Sequence, residues 1–327
     1  MSRTVLLTSS SDPFLMSLCY RMFKERFYDE VNSFRINLNN CSRFPVEVTQ
    51  ELISNLIKDP KVKLIYRPEG GDPGQAIREL LITATEDTVM LLEEDAYIFN
   101  PGTVDKYFSM IESGETDLIG SPRGSCGNEI WDVSGKKYGL DYTKYGDNGA
   151  NFWPNFLFCK RKDMLKTDLN FGSKLFPAGS YCKELDYTFK EDNCGDTFVW
   201  ASMQLRALGL KVTEVTQHKA DPYEVQNKEA GDMNWRLMPF DWIHAGSLSS
   251  GYGTYLSGQI PNIVDDGGKQ EMETRCAWWS IAAMTTQGFD KFKTDYLQGV
   301  SSLVKNANLN LERIEKKVNL YRELLRI

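Results

Sequence analysis

The chain has 327 residues, 41% hydrophobic and 25% charged, with a formal charge of −7. This is enough to bury a sizeable core, and the composition is that of a globular protein, not of a fibre or a disordered tail. The acidic balance excludes a general pull toward nucleic acid or anionic membrane and leaves only local basic patches to serve such partners.

The start, "MSRTVLLTSSSDPF", carries no secretory cleavage pattern, and no apolar run reaches bilayer-spanning length, so the expected location is cytoplasmic. Seven cysteines, Cys19, Cys41, Cys126, Cys159, Cys182, Cys194 and Cys276, form no C-x-x-C pair. They read as reduced thiols and signal neither a zinc site nor a disulfide framework.

"TVLLT" predicts a short buried strand, and "SSSDPF" supplies an N-cap and an early proline for a helix over 14–27. "SFRINLN" alternates as a strand does, whereas "VEVTQELISNLI" spaces its apolar residues as a helix. "VKLIY" is the next strand, "PEGGDPG" a turn, "QAIRELLITA" a helix, and 89–92 a further strand. This β-α-β-α order predicts an α/β fold with a mainly parallel central sheet and helices on both faces. "DLIGSP" reads as another strand and 123–151 as a long irregular loop over the sheet edge. "NFWPNFLFCKRKDML" then reads as a strand entering a helix, "GDTFVWASMQLRALGL" as a capped helix ending near Gly209, and "KVTEV" as the last strand. Residues 220–268 are loop-rich, and the remainder is helical. There Leu311, Ile314, Val318, Tyr321 and Leu325 form an apolar stripe that either packs on the protein's own body or pairs two copies as a homodimer.

The stretch "VMLLEEDAYIFNPG" ends an apolar strand in three acids, Glu93, Glu94 and Asp95. Two readings are open. The strand end reaches solvent, or the acids sit where α/β sheets receive ligands, at the carboxyl ends of the strands. Clustered hard oxygens there suit Mn2+ or Mg2+ shared with phosphate. Strand alternation sends Glu93 and Asp95 to one side and Glu94 to the other, with Asp95 the first choice for the metal.

The same stretch resembles the D-x-D or E-D-D signature of GT-A fold glycosyltransferases, and "GQAIRELLITATEDTVMLLEED" is similar, without a gap, to the segment preceding that signature in the bacterial family-two type. Arg78 and Leu80 depart from its usual Asn and Gly. Downstream, "NFLFCKRKDML" and "GDTFVWASMQLRALGLKV" resemble a later strand and the helix that carries the general base. Gly195 stands where that motif has Glu, and the interval from Asp196 to Gly209 is longer than usual.

The resemblance implies a metal-dependent transfer of a sugar from a nucleotide-sugar donor, a UDP-sugar in the first instance, to a hydroxyl acceptor with inversion. It makes Asp196 the base, which as an Asp before a helix is equally a cap. It also implies donor contacts from Thr8, Ser9 and Ser10, from Glu93 and Glu94, and from Arg78, whose charge otherwise points to solvent. A C-terminal histidine, His244, would join Asp95 on the metal; a structural histidine is the alternative. The implied catalytic domain is 1–245, followed by a loop and helical extension over 246–327.

A sugar nucleotidyltransferase and an inactive nucleotide-sugar-binding module remain alternatives, although "TSSSDP" lacks a Gly-rich basic phosphate loop. For the acceptor, a glycan or small molecule is favoured over a hydroxylated base in DNA, for which "CKRKDMLK" and Lys136-Lys137 are the only basic candidates.

Overall fold

The computed structural model describes residues 1–9, 12–39, 44–98, 100, 102–120, 126–139, 152–215, 242–244, 248 and 266–327; for 242–244, 266–267 and 271 it describes the backbone alone. In chain order the strands are β1 Arg3–Ser9, β2 Ser33–Asn39, β3 Val62–Arg67, β4 Thr88–Glu93, β5 Ala96–Ile98, β6 Leu118–Gly120, β7 Phe156–Lys160, β8 Lys174–Phe176, β9 Tyr181–Cys182, β10 Tyr187–Thr188, β11 Asn193–Gly195, β12 Val212–Glu214 and β13 Trp242–His244. The helices are α1 Pro13–Phe27, α2 Val46–Leu56, α3 Pro73–Thr83, α4 Thr103–Ser113, α5 Asn128–Tyr138, α6 Arg161–Met164, α7 Val199–Ala207, α8 Asp266–Thr285, α9 Asp290–Asn306 and α10 Leu311–Leu325.

Seven strands form the central sheet in the order β12-β6-β7-β4-β1-β2-β3. All neighbours run parallel except β7, which is antiparallel to both β4 and β6. The fold is therefore the mainly parallel α/β sheet expected from the element order. Alternation splits its side chains between two cores. Val5, Leu7, Met90, Leu92, Phe156 and Phe158 face α1, α2, α4 and the C-terminal helices. Leu6, Val89, Leu91, Leu157 and Cys159 face α3 and α7. Both faces are covered, so these strands read as near-continuous apolar runs.

The helix starts follow local chemistry. The Asp12 carboxylate accepts from Phe14 N (2.9 Å) and Leu15 N (3.0 Å) ahead of Pro13, and Asp72 accepts from Gly74 N (2.8 Å). Gly74 also meets a packing demand, because a Cβ there would collide with the backbone of Phe171 and Gly172. In β2 every position is buried, and its polar side chains are paired: Arg35 with Glu86 (3.1 Å), Asn37 with Glu79 (3.2 Å), and Asn39 with the Gly71 carbonyl (2.9 Å).

Two sequence expectations change, and one of two open alternatives is met. Residues 128–138, read as irregular loop, form α5: Ile130, Ser134 and Gly135 make a buried face at helical spacing, and Gly139 closes it at φ 65°. A strand beyond "KVTEV" also exists, since β13 pairs with β5. In α10 the stripe packs on the chain itself, burying Ile314, Tyr321 and Leu325 and leaving Leu311 exposed, while Leu324 and a fully buried Lys317 beside it join the covered face.

The C-terminal helices share the core of the sheet. Phe14 of α1 packs against Phe289, Phe292 and Tyr296, with ring centroids 4.5–5.7 Å apart, and Tyr296 donates its hydroxyl to Asp12 at 2.8 Å. Among the described residues no helix is long and apolar enough to cross a membrane.

Burial pushes the Glu86 carboxyl up, but bonds from Ser33 Oγ and the Thr85 amide, with the Arg35 charge beside it, outweigh that and hold it at about 2. A carboxylate whose folded value lies below its unfolded 4.5 adds stability above that pH and loses it as pH falls toward 2. E86Q should cost on the order of 2 kcal/mol at neutral pH, and urea midpoints of wild type and variant should converge between pH 5 and pH 2.

Candidate functional site

The acid-bearing strand stops at Glu93, and Glu94 and Asp95 form a turn into β5. Strand alternation therefore does not extend to these two residues, and the expected split of Glu93 and Asp95 from Glu94 does not apply. Both turn carboxylates are buried, Glu94 at 2% and Asp95 at 5% exposure, while Glu93 is half-buried at the rim.

Neighbouring elements supply donors. The Glu94 amide donates to the Thr8 carbonyl (3.2 Å), and Ser9 Oγ donates to Glu94 Oε2 in a very short hydrogen bond. Asp95 Oδ2 accepts from the Leu248 amide at 3.2 Å, and the Leu248 carbonyl accepts from Trp279 Nε1 at 3.2 Å. From α1 the Cys19 thiol donates to the Ala96 carbonyl at 3.4 Å. Burial raises that thiol well above its usual range, and the charges of Glu94 and Asp95 raise it further. The buried Tyr97 phenol is raised for the same reasons. Nearby, burial lifts Asp12 to about 6 against the hydrogen bonds it accepts.

An aromatic stack supports the turn from outside. Tyr97 lies on Trp278 (4.8 Å, 13°), which lies on Tyr321 of α10 (4.7 Å, 14°). The antiparallel register of β13 on β5 sets the His244 backbone opposite Ala96, immediately after Asp95.

The rim thus gathers Thr8, Ser9, Glu93, Glu94, Asp95 and the backbone of His244. Ser10 lies outside the described residues, as do His218, the His244 side chain and the Gly-Ser run that follows it apart from Leu248. Thr8 is half-buried and its carbonyl is spent on Glu94. Arg78 is not drawn in: it is exposed on α3, with no hydrogen bond or ion pair among the described residues.

Asp196 follows β11, whose last residue Gly195 bridges Cys126, and among the described residues no hydrogen bond or ion pair joins it to the acid turn. The Asp196 carboxylate is exposed and accepts from the Thr197 amide (2.7 Å). The cap position of α7 is Phe198, at φ 70° and with no side-chain cap, so Asp196 is not its side-chain N-cap.

Cys19, Leu248 and Trp279 were missed from the sequence because no periodicity or motif ties them to the acids. Asn155 was missed too. It directly precedes β7, beside the end of β4, is 1% exposed, and its Oδ1 has no hydrogen-bond partner among the described residues. Farther along, α5 and the β10–β11 segment border an open groove of about 740 Å³ lined by Asp132, Lys136, Lys137, Tyr187 and Lys190. Trp200 and Tyr138 serve packing: the indole N–H of Trp200 goes to Asp168 (2.6 Å), and the Tyr138 hydroxyl goes to the Glu184 carbonyl (2.8 Å).

In kind, the carboxylates of Glu93 and Asp95 are the hard oxygen donors that Mn2+ or Mg2+ takes. No group of three or more metal-binding side chains forms among the described residues, which exclude the His244 imidazole.

No protein-family model matches the sequence, and no curated protein matches it. Solved structures give remote likenesses. Residues 1–349 of TarS from S. aureus align over 100% of this chain and 90% of that one, at 11% identity and TM-score 0.43. The mannosyltransferase Ktr4p from S. cerevisiae, in complex with GDP, aligns over 52% of this chain and 59% of its own at 10% identity and TM-score 0.34. HddC from Yersinia pseudotuberculosis does so over 51% and 80% at 17% identity and TM-score 0.32. Likeness at this level assigns no activity.

Because the stack bears on β5, Trp278→Ala should cost about 3–5 kcal/mol in a denaturant titration. Native-state hydrogen exchange should then quicken at the Glu94 amide more than at the amides of β2.

Proposed function

We propose that the chain is a metal-dependent glycosyltransferase that moves a sugar from a nucleotide-sugar donor, a UDP-sugar in the first instance, to a hydroxyl acceptor with inversion. The observation that carries this reading is a pair of buried carboxylates, with a half-buried third, at the carboxyl ends of a parallel sheet. Burying carboxyl groups is costly, and a rim that buries both Glu94 and Asp95 needs a return in binding or chemistry.

Asp95, with His244 from β13, would hold the cation. Manganese or magnesium, when bound, supplies positive charge against a diphosphate leaving group. Thr8, Ser9 and Glu93 border the place where the donor lies. Arg78 enters only if the donor's phosphates extend onto the outer face of α3.

The acceptor hydroxyl gives its proton to Asp196 as its oxygen attacks the anomeric carbon. The bond from that carbon to the diphosphate breaks on the opposite side, which inverts the centre. An exposed carboxylate suits this role, because the acceptor has to reach it from solvent. With a net charge of −7, a glycan or small-molecule hydroxyl is the favoured acceptor over a modified base in DNA.

A screen of nucleotide-sugars that reads released nucleoside diphosphate, with and without Mn2+, tests the reading. One donor class should turn over only with metal. D95N should then lose nearly all turnover, and D196N should lower kcat by about 10²–10⁴-fold with little change in donor KM. Absence of release from every donor, or full metal-dependent turnover by D95N, would sink it.

A further inference from the structure

Asp95 is reached from the C-terminal helices by two hydrogen bonds in series. Trp279 of α8 donates its Nε1–H to the Leu248 carbonyl, and the Leu248 N–H donates to Asp95 Oδ2, each at 3.2 Å. All three are buried, Trp279 and Leu248 fully, whereas Asp95 keeps 5% exposure.

The N–H and C=O of Leu248 belong to different peptide units, so this link is geometric and not a polarised relay. Its carbonyl is held by the indole and its side chain by the core, which fixes where its backbone nitrogen sits, and from there the N–H donates to the carboxylate. The adjacent indole does a different job, since Trp278 uses its faces to stack between Tyr97 and Tyr321. Neighbouring residues on one helix thus brace Asp95 and, two residues on, Tyr97.

We propose that Trp279 is a positioning residue for the site: through Leu248 it sets the orientation in which Asp95 presents its carboxylate to a divalent cation. The proposal rests on the metal reading of Asp95. Groups that orient a metal ligand without touching the metal typically matter by about 10–100-fold in affinity. An indole N–H that merely satisfied the nearest carbonyl would affect folding and leave metal affinity alone.

The test is Mn2+ affinity of the full chain, read from the electron paramagnetic resonance signal of free Mn2+, for wild type, D95N, W279F and Y296F. W279F keeps an aromatic ring and removes the N–H. It should weaken Mn2+ binding by about 10–100-fold. Y296F, which loses its hydroxyl bond to Asp12, should lower the thermal midpoint without moving the Mn2+ constant.

If D95N abolishes binding while W279F stays within twofold of wild type, the positioning role is overturned and the metal assignment stands. If D95N binds Mn2+ as wild type does, or wild type binds none, the metal reading falls and takes the proposal with it. Should W279F fail to fold, the α-hydroxy analogue of leucine placed at position 248 by nonsense suppression replaces that N–H by an ester oxygen and leaves the side chain and its own carbonyl in place. The same weakening is then expected, and an unchanged constant overturns the proposal.

Discussion

Two carboxylates on consecutive residues, Glu94 and Asp95, lie almost out of reach of water. A charge in that position is tolerated only where donors replace the hydration it has lost. Much of the local architecture can be understood as meeting that demand. The hydroxyl of Ser9 comes from the neighbouring strand, and the amide of Leu248 comes from a distant segment. The Cys19 thiol holds the peptide carbonyls around the turn instead of the acids themselves. Parallel pairing of β1 with β4, with Thr8 beside Glu93, is what makes Ser9 available at all.

The C-terminal helices belong to the same solution. Their aromatic residues press on β5, immediately after the acids, and one of their indoles holds the carbonyl of the residue that donates to Asp95. A second tie joins Tyr296 to Asp12, the cap of the helix that follows β1. The helices thus hold the acid turn and, separately, the start of α1, and the apolar core beneath runs from β1 to α10.

Much of the sheet was legible because its signals are local. Buried strands are apolar runs, their helices have 3.6-residue spacing, and "SDP" and "GDPG" mark helix starts. The placement of the acids at the ligand edge followed from element order alone. Legibility ended where long-range contacts decide. Alternation was carried past Glu93 because nothing in "LLEEDAY" says that the strand stops there; its end depends on Ser9, Cys19 and a backbone partner far along the chain. Helix α5 was overlooked because its apolar face is short and its Gly and Lys residues read as loop. Lys317 was unforeseen beside an apolar stripe, since a lysine buried among helices has no periodic mark. Asp196 was expected either as base or as cap; the backbone at Phe198 removes the second role and leaves the first to be tested.

The distance in sequence between the parts of the rim bears on how it is assembled. The last strand of the central sheet ends at Glu214, so a ribosome has released all seven before α8 is made. Leu248 lies 153 residues from Asp95, and Tyr296 lies 284 from Asp12. A nascent chain that stops short of α8 would own every strand of the sheet and the direct donors Ser9 and Leu248, but would lack Trp279, which holds the Leu248 carbonyl, and Tyr296, which holds Asp12. Contacts that close such long loops form late, once the entropy of bringing the ends together has been overcome. Maturation of the acid edge is therefore tied to the synthesis of α8 and α9.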